Sequence, residues 1–380
     1  MRFVHFSDTH LGASNFRLSE RRQDFYKAFK QVIDFCLEKK PDFVIHTGDL
    51  FDTGKPDNET ILFAIDELKK LKKEGIRFLV IPGSHDVSVE GTFLSILERV
   101  GLLTNLSNPR YYENNDGEVI VNGEVIGDAF ICGIPGRRAN IKEMYEHLRI
   151  NKPKSKFGLF MFHHIVSDVP RTEVFADIPK SLLPLGMDYY AGGHWHEHEE
   201  LRVNGKPLIY PGSTEHQNIG SMEKNNDKGF IYYDEKPCFM KVKTREVSVL
   251  RINCNALTPE EIMKKCLNNI GTSNNGLIIL RLCGELRRGL KGEINRELIR
   301  NAYKDAGWLY CEVRIKDLRD PGKSVVSHKK TLSEVEHEYL RKQGYSKKEV
   351  SKAKAFINLF GQSLTRNELN NAVAEAMKLL

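Results

Sequence analysis

The sequence predicts an α/β protein with one large sheet-and-helix domain and a smaller domain behind it. Short β-rich runs alternate with helical patterns through residues 1–240, which is typical of a sheet with helices packed on its faces. The pattern starts again at Arg245. The length of 380 residues also exceeds what one hydrophobic core usually organises. We therefore expect two or three domains.

Six short apolar runs predict the strands of the first domain, residues 1–240. They are Arg2–Phe6, Asp42–His46, Arg77–Ile81, Phe130–Cys132, Phe157–Phe162 and Asp188–Ala191. Between the second and third strands, apolar residues recur at helical spacing and predict a helix over Asn58–Glu74.

Residues 245–318 predict a compact βαβαβ unit. Its elements in order are Val247–Ile252, Pro259–Asn268, Gly276–Cys283, Ile294–Ala306 and Trp308–Ile315. Residues 319–330 contain Pro, Gly, Ser and Lys but few large apolar side chains, which indicates a linker. Three Ser/Thr-x-x-Glu sequences, typical of capping boxes, begin at Ser333, Ser346 and Thr365 and predict a helical segment over 331–380.

The composition favours an intracellular protein. The seven cysteines form no Cys-x-x-Cys pair, which is typical of reduced thiols. No apolar run approaches the ~20 residues that span a bilayer, and Met1–Phe6 is interpreted as a core strand rather than a signal peptide. The formal charge of +6 is a weak bias toward polyanions. We expect no membrane contact and a cytoplasmic, nucleoid-associated location if the protein is prokaryotic.

Aspartates and histidines follow five of the predicted strands. They are Asp8 and His10, Asp49, His85, His163, and the pair His194 and His196. In open α/β sheets, functional sites gather beyond the carboxyl ends of the strands. We therefore expect these side chains to converge at one edge of the sheet.

A mixture of imidazole and carboxylate ligands favours Mn, Fe or Zn over Mg or Ca. Seven candidates exceed the four or so ligands that one ion accepts, so the pattern predicts two ions that share a carboxylate such as Asp49. Two cations can supply a nucleophile at neutral pH and neutralise charge on a phosphate undergoing attack. His85 is spare in this count, and it can protonate or hydrogen-bond the leaving oxygen.

The other histidines are interpreted as structural. His46 lies inside an apolar strand and is expected to pack rather than to bind metal. His164 competes with His163, but only one of two adjacent side chains can face the edge, and His163 follows the strand immediately.

The motifs that carry these residues resemble a known family. Asp8-Thr-His10, Gly48-Asp49, Gly83-Ser84-His85-Asp86, His163 and Gly193-His194-Trp195-His196 are similar to the five motifs of calcineurin-like metallophosphoesterases. The opening FSDTHLG, the HTGDLFD segment and YPGST (Tyr210–Thr214) more narrowly resemble the SbcD-type, or meiotic-recombination-eleven, nucleases of double-strand-break repair. The resemblance covers about residues 1–320. It implies a sheet sandwich flanked by helices, a DNA-facing capping domain over 245–318 and a C-terminal helical segment.

The resemblance implies two Mn²⁺ ions per subunit. One ion would be held by Asp8, His10, Asp49 and His196, and the other by Asp49, Ser84, His163 and His194, with His85 acting on the leaving group. The family has Asn where this chain has Ser84. Because a Ser hydroxyl reaches less far than an Asn carbonyl, we expect weaker binding of the second metal and a slower nuclease.

The resemblance also implies partners. It predicts a homodimer through helices near 58–74 and 92–100, and an SMC-like ABC-type ATPase subunit. Gly322-Lys323-Ser324 lacks the glycine five positions earlier that a P-loop requires, so ATP use is expected to come from such a partner.

The sequence leaves two alternatives open for the DNA-contacting arginines and for the apolar residues of the C-terminal segment. Arg17, Arg21 and Arg22 follow the first metal loop and either bind DNA phosphates or are solvated. Apolar residues of the C-terminal segment, among them Val350, Ile357 and Phe360, either dock on the partner ATPase or fold back on this chain.

Three functions fit the sequence. The first is a manganese-dependent DNA nuclease, acting as a double-strand exonuclease and single-strand endonuclease on DNA ends in break repair. The second is a phosphatase or small-molecule phosphodiesterase, because a shared core does not fix the substrate. The third is a DNA-end tethering scaffold whose catalysis is impaired by Ser84.

Overall fold

Two six-stranded sheets form the body of the protein in the computed structural model, which describes residues 1–88, 91–107, 111–113, 117–136, 140–153, 156–170 and 176–322. The first sheet has the order β17 (Lys236–Lys241), β16 (Gly229–Asp234), β1 (Arg2–Phe6), β2 (Phe43–His46), β3 (Arg77–Val80) and β6 (Thr104–Asn105). Strands β1, β2, β3 and β6 are parallel, and β16 and β17 are antiparallel to their neighbours.

The second sheet has the order β14 (Glu199–Val203), β15 (Lys206–Tyr210), β13 (Tyr189–Gly192), β12 (Phe157–Phe162), β10 (Ala129–Gly133) and β9 (Glu124–Ile126). Its four central strands are parallel, and an antiparallel strand lies at each edge. Side chains from both sheets, such as Ile45 and Ile131, are fully buried in a shared core. The two sheets therefore form a sandwich.

Helices cover the outer face of the first sheet. They are α1 (Ser19–Lys39), α2 (Asn58–Lys73) and α3 (Leu94–Arg99), and their apolar faces join one core. Helix α2 begins where the Asp57 side chain accepts a hydrogen bond from the Thr60 amide, and three lysines in its last turn complement the helix dipole.

The remaining elements of the body are short. They are the small sheet of β7 (Tyr111–Glu113), β8 (Val119–Val121) and β11 (Leu148–Ile150), the hairpin of β4 (Val87–Ser88) and β5 (Gly91–Thr92), and the helices α4 (Ile141–Glu146) and α5 (Ile219–Lys224).

Residues 247–319, here named the cap, form a separate parallel sheet. Its elements are β18 (Val247–Asn253), α6 (Pro259–Asn268), β19 (Leu277–Glu285), α7 (Arg296–Asp305), β20 (Tyr310–Arg314) and β21 (Leu318–Arg319). Helices α6 and α7 cover one face of this sheet with an apolar core of its own. The other face packs on the body, where Phe16 stacks on Tyr310 with ring centroids 4.0 Å apart.

The predicted fold class is confirmed. All six strands predicted in the body and all five elements predicted in the cap are present, with ends that differ by one or two residues. The alternating pattern alone indicated one sheet, whereas the body has two, as the family resemblance implied. Helix α1 and the antiparallel strands were not predicted.

The chain divides into two units, Met1–Arg319 and Asp320–Leu380. The features described here belong to the first unit. The predicted C-terminal helical segment, with Val350, Ile357 and Phe360, lies outside the described residues. Within the part of the chain that the structure describes, no helix is long and apolar enough to span a bilayer.

Candidate metal centre

The loops that follow five parallel strands meet at one edge of the sandwich. The Asp8 amide donates to the Gly48 carbonyl at 3.0 Å, which joins the loop after β1 to the loop after β2. The His85 amide, after β3, donates to Asp49 Oδ1 at 2.7 Å. The second sheet contributes His163 after β12 and His194 after β13. The predicted convergence is present.

The ligand candidates form two adjacent groups. In one, side-chain ligand atoms of Asp8, His10 and His196 all lie within 4.8 Å of one another, and in the other so do those of Asp49, His163 and His194. Asp49 of the second group also faces the first group, because its Oδ2 is 3.2 Å from His163 Nε2 and 3.8 Å from His10 Nε2. This is the placement expected of a carboxylate shared by two cations.

Three of the candidate histidine ligands are held in place by a hydrogen bond of the other ring nitrogen or of the backbone amide. His163 Nδ1 donates to the Thr47 carbonyl at 2.7 Å, and His10 Nδ1 lies 3.1 Å from Asp52 Oδ1. Such contacts fix the orientation of metal-ligating imidazoles. The His194 amide donates to the carboxylate of Asp8.

Three buried ring nitrogens of the two ligand groups make no hydrogen bond with a described residue. They are His10 Nε2, His163 Nε2 and His194 Nδ1; outside the groups, His46 Nδ1 and Trp195 Nε1 also make none. An unsatisfied buried polar atom is costly, and a divalent cation would satisfy all three without adding a proton. The residues therefore fit a metal centre.

The backbone of the site is strained at its ligands. Asp8, His10, Asp49 and His194 adopt positive φ angles of 52°, 43°, 55° and 80°. This left-handed region costs about 1–3 kcal/mol per non-glycine residue and is concentrated at functional sites. No local sequence pattern predicts this strain.

Two motif glycines allow the loops to approach closely. A Cβ at Gly48, which has φ of 102°, would lie 2.4 Å from His163 Nδ1, and one at Gly193 would lie 2.1 Å from the Thr47 carbonyl oxygen. Any side chain at these positions would push the histidine loop away from the loop after β2.

The charges of the site stabilise one another. Burial raises the pKa of Asp8, but the hydrogen bond and the charge of His196 hold it well below its usual range. Burial lowers the pKa of His163, but the Asp49 carboxylate more than reverses this and raises it to about 9. The centre therefore favours ionised carboxylates beside groups that bear positive charge, which a bound cation would supply.

Asp86 is a buried carboxylate that supports the site without facing it. It accepts hydrogen bonds from the backbone amides of Leu50, Phe51 and Gly83. Burial, followed by the charge of Asp49, raises the pKa of Asp86 to about 6. Asp86 thus joins the loop that carries Asp49 to the loop that carries His85.

His85 lies beside the first ligand group and is exposed. Its ring is 4.8 Å from that of His10, and its Nδ1 donates to the Asp52 backbone carbonyl at 2.7 Å. Asp52 thus orients both histidines, and it forms a further candidate cluster with them. The sequence reasoning missed Asp52, although its place in the HTGDLFD motif was a usable signal.

Ser84 lies between Gly83 and His85, both of which contact Asp49. It is half-buried, and its backbone amide lies against Gly136. Its predicted role as a ligand stays a prediction.

Arg21 corrects a sequence-based expectation. Its side chain is fully buried, and its guanidinium donates to Asp24 at 2.7 Å and to Glu215 at 3.2 Å. It therefore has no surface with which to contact DNA. Arg22 is paired with Asp57 and Glu59, and Arg17 is exposed. DNA contact by these two arginines stays a prediction.

The histidines interpreted as structural lie outside both ligand groups. His46 Nε2 is 3.1 Å from the Thr9 hydroxyl, and burial lowers its pKa to about 3. His164 Nδ1 is 3.2 Å from the Tyr145 hydroxyl, and His164 belongs to neither ligand group.

Comparison with known proteins identifies the family. The calcineurin-like phosphoesterase family model matches residues 1–198. The DNA double-strand break repair protein Mre11 of Sulfurisphaera tokodaii is 32% identical over 308 residues, which cover 78% of this chain and 76% of the relative. The chain belongs to the Mre11 family of calcineurin-like phosphoesterases.

Other relatives with the same description support this membership. Mre11 of Sulfolobus acidocaldarius is 30% identical over 75% of each chain. Mre11 of Archaeoglobus fulgidus is 29% identical over 74% of this chain and 68% of its own. As an Mre11-family phosphoesterase, the chain is a metal-dependent hydrolase, and its described residues include groups that could hold a metal ion.

Proposed function

We propose that this Mre11-family chain is a manganese-dependent nuclease that processes DNA ends in double-strand-break repair, as an exonuclease on duplex ends and an endonuclease on single strands. The observation that carries the proposal is that the Asp49 carboxylate faces candidate ligands of both groups. The names of the relatives, which are DNA double-strand break repair proteins, support DNA as the substrate.

The candidate residues would bind two cations. Asp8, His10 and His196 would hold the first cation, and His163 and His194 would hold the second. Asp49 would be a ligand of both cations, and Ser84 would be the weakest ligand of the second. When bound, two Mn²⁺ ions would lower the pKa of a water and neutralise charge on the phosphodiester.

His85 would act on the leaving group. Its Nδ1 donates to the Asp52 carbonyl, so Nε2 is the ring nitrogen that would carry a proton toward the departing oxygen. The exposed position of the ring leaves it accessible to a substrate.

Nuclease assays on linear duplex and single-stranded DNA test the proposal. We expect Mn²⁺-dependent cleavage that EDTA abolishes, and a loss on the order of 100-fold or more in His85→Ala, as for removal of a general acid. His147→Ala is the control, because His147 is exposed and outside the ligand groups. Equal rates in wild type and His85→Ala would contradict the role of His85, and no cleavage by wild type would overturn the proposal and leave a tethering scaffold.

A separate assay distinguishes the nuclease from a phosphatase or small-molecule phosphodiesterase. A phosphatase or small-molecule enzyme would hydrolyse p-nitrophenyl phosphodiesters faster than DNA ends under the same Mn²⁺ conditions. We expect the reverse order, because the relatives act in DNA break repair.

We further propose two partners. Leu62 on α2, together with Ile96 and Val100 at α3, is more than half exposed, and these large apolar side chains would be covered in a homodimer. An SMC-like ATPase would bind residues 331–380, which lie outside the described residues.

A further inference from the structure

Lys228 is a buried lysine that joins the two sheets of the body. It comes directly before β16, in the first sheet, and only 3% of it is exposed to solvent. Its Nζ donates a hydrogen bond to the backbone carbonyl of His196 at 2.7 Å. His196 lies in the loop that follows β13, in the second sheet. This hydrogen bond therefore crosses between the sheets at the edge where the candidate metal ligands meet.

The contact with His196 accounts for the burial of this lysine. Lysine is among the residues least often buried, and a buried amino group is usually paired with a carboxylate. Lys228 forms no ion pair with a described residue, and the bond to His196 is the only hydrogen bond of its side chain within the described ranges. Burial lowers the pKa of Lys228 to about 8, although the charge of Glu197 opposes this shift. An apolar side chain of similar size would be less costly to bury, but it would leave the His196 carbonyl without this donor.

The His196 carbonyl is anchored from both sheets. In the second sheet, the backbone amide of Ser213, which follows β15, donates to the same oxygen at 3.2 Å. In the first sheet, the main chain of Lys228 is itself held, because its carbonyl accepts a hydrogen bond from the Val242 amide at 2.8 Å. The bond from Lys228 is the shorter of the two to the His196 oxygen. The main chain of His196 is thus fixed against a residue of the opposite sheet.

The main-chain position of His196 determines where its ring lies. His196 Nε2 is 3.4 Å from Asp8 Oδ1, and its ring centroid is 5.2 Å from that of His10. Asp8 and His10 follow β1, so this ligand group is assembled across the sandwich. Strand β16, which Lys228 precedes, is the antiparallel neighbour of β1. The bond from Lys228 therefore connects the His196 loop to the sheet that carries the other two candidate ligands.

We propose that Lys228 is a positioning residue of the candidate metal centre, which holds His196 in place for the cation that it would share with Asp8 and His10. Lys228 acts through the main chain of His196 and contacts neither the cation nor the substrate. Removal of groups that support metal ligands changes metal affinity by about 10- to 100-fold. The inference rests on the proposed function, since it adds a residue to the centre that would carry it out.

Mn²⁺ binding without DNA tests the proposal. Free Mn²⁺ gives an EPR signal that is lost on binding, so a titration of the full chain measures affinity without cleavage. We expect Lys228→Met to weaken the binding of one cation on the order of tenfold, because the His196 loop loses its connection to the first sheet. The direction of the change is decisive. An ammonium group repels a cation, so removal of its charge alone would tighten binding.

A double-mutant cycle separates positioning from a general loosening of the fold. If Lys228 acts through His196, Lys228→Met causes no further loss of Mn²⁺ affinity in a chain that already carries His196→Ala. In a chain that carries His194→Ala, at a candidate ligand of the other group, Lys228→Met is expected to cause its full loss. Urea unfolding in EDTA shows which variants are folded.

Lys228→Arg is the second variant of the cycle. It keeps a donor on a long side chain, so its Mn²⁺ affinity is expected to lie between those of Lys228→Met and the wild type. If the methionine variant does not fold, the same cycle is measured with Lys228→Arg and interpreted in the same way.

Lys241→Met is the matched control. Lys241 is the last residue of β17 and lies opposite Gly229, the residue after Lys228, but it is exposed and pairs with Asp227. Because exposed ion pairs contribute little, we expect its loss to change Mn²⁺ affinity less than about twofold.

The remaining outcomes each decide against a proposal. Tighter Mn²⁺ binding in Lys228→Met, an affinity equal to that of the control, or equal losses in the His196→Ala and His194→Ala chains would overturn the role of Lys228. A wild type that binds no Mn²⁺ would overturn this role together with the proposed function. A wild type that binds Mn²⁺ but cleaves no DNA would overturn the proposed function alone.

Discussion

Individual side chains in the metal centre are positioned by contacts that point away from it. Thr47 orients His163 through its carbonyl, and Asp52 orients His10 through its carboxylate. These contacts leave the opposite ring nitrogens buried and unsatisfied among the described residues. The affinity of such a site depends on these supporting groups as well as on the ligands.

Ser84 gives a prediction at this scale. Ser84→Asn places a longer neutral oxygen ligand beside Asp49, so we expect tighter binding of the second cation and a higher nuclease rate at low Mn²⁺. The measurement is nuclease rate against Mn²⁺ concentration for both proteins. The midpoint should fall by about tenfold, roughly the effect of one added ligand contact. Superimposed titration curves would show that position 84 does not limit metal binding.

His5 gives a prediction about pH. It is buried between the Tyr189 and Thr47 hydroxyls, and burial, followed by the charge of His46, lowers its pKa to about 3. The unfolded chain takes up this proton near pH 6.5, so the free energy of unfolding falls as the pH drops from about 6.5 toward 3, by up to about 1.4 kcal/mol per pH unit.

Urea unfolding in EDTA between pH 7.5 and 5 measures this loss. The slope of unfolding free energy against pH should be smaller in His5→Gln than in wild type. His147→Gln, at an exposed position, should keep the wild-type slope. Identical slopes for His5→Gln and wild type would mean that His5 is protonated in the folded protein.

At the scale of elements, the sequence predicted the strands and helices that have a clear local pattern of apolar or capping residues. The apolar runs β1, β2 and β12 and the capped helix α6 carry strong local signals, and they lie where expected. The seven Asp and His candidates were placed at one edge because parallel strands share a direction. Helix α1 was missed, although Phe25, Phe29 and Val32 recur at helical spacing on its buried face.

Long-range pairing explains the other omissions. Strand β16 lies beside β1 although more than two hundred residues separate them. Which of two sheets a strand joins depends on such contacts, which no local pattern records. The positive φ angles of Asp8 and Asp49 are likewise imposed by surrounding loops.

Helix α2 carries the prediction of dimerisation. Leu62 is 60% exposed on its surface. We expect Leu62→Glu to convert a dimer to a monomer in sedimentation experiments, because burial of a charge opposes association. Leu290→Glu, at an exposed leucine of the cap, should leave the mass unchanged. A wild type that sediments as a monomer would contradict the dimer.

At the scale of the whole molecule, the described unit contains every candidate ligand, whereas the proposed ATPase contact lies in residues 331–380. Deletion of 331–380 should therefore abolish co-purification of the ATPase and spare Mn²⁺-dependent cleavage. Combined replacement of Val350, Ile357 and Phe360 by Glu should have the same effect in the full-length chain. Retention of the ATPase by both variants would refute the contact.

The candidate metal centre draws its residues from both halves of the sandwich. Asp8, His10 and Asp49 extend from one sheet, and His163, His194 and His196 from the other. The distances between candidate ligand atoms therefore depend on how the two sheets pack against each other in the core that contains Ile45 and Ile131. A change in the packing of that shared core would therefore shift the candidate ligands of one sheet relative to those of the other, so we expect core residues that do not contact a substrate to affect catalysis.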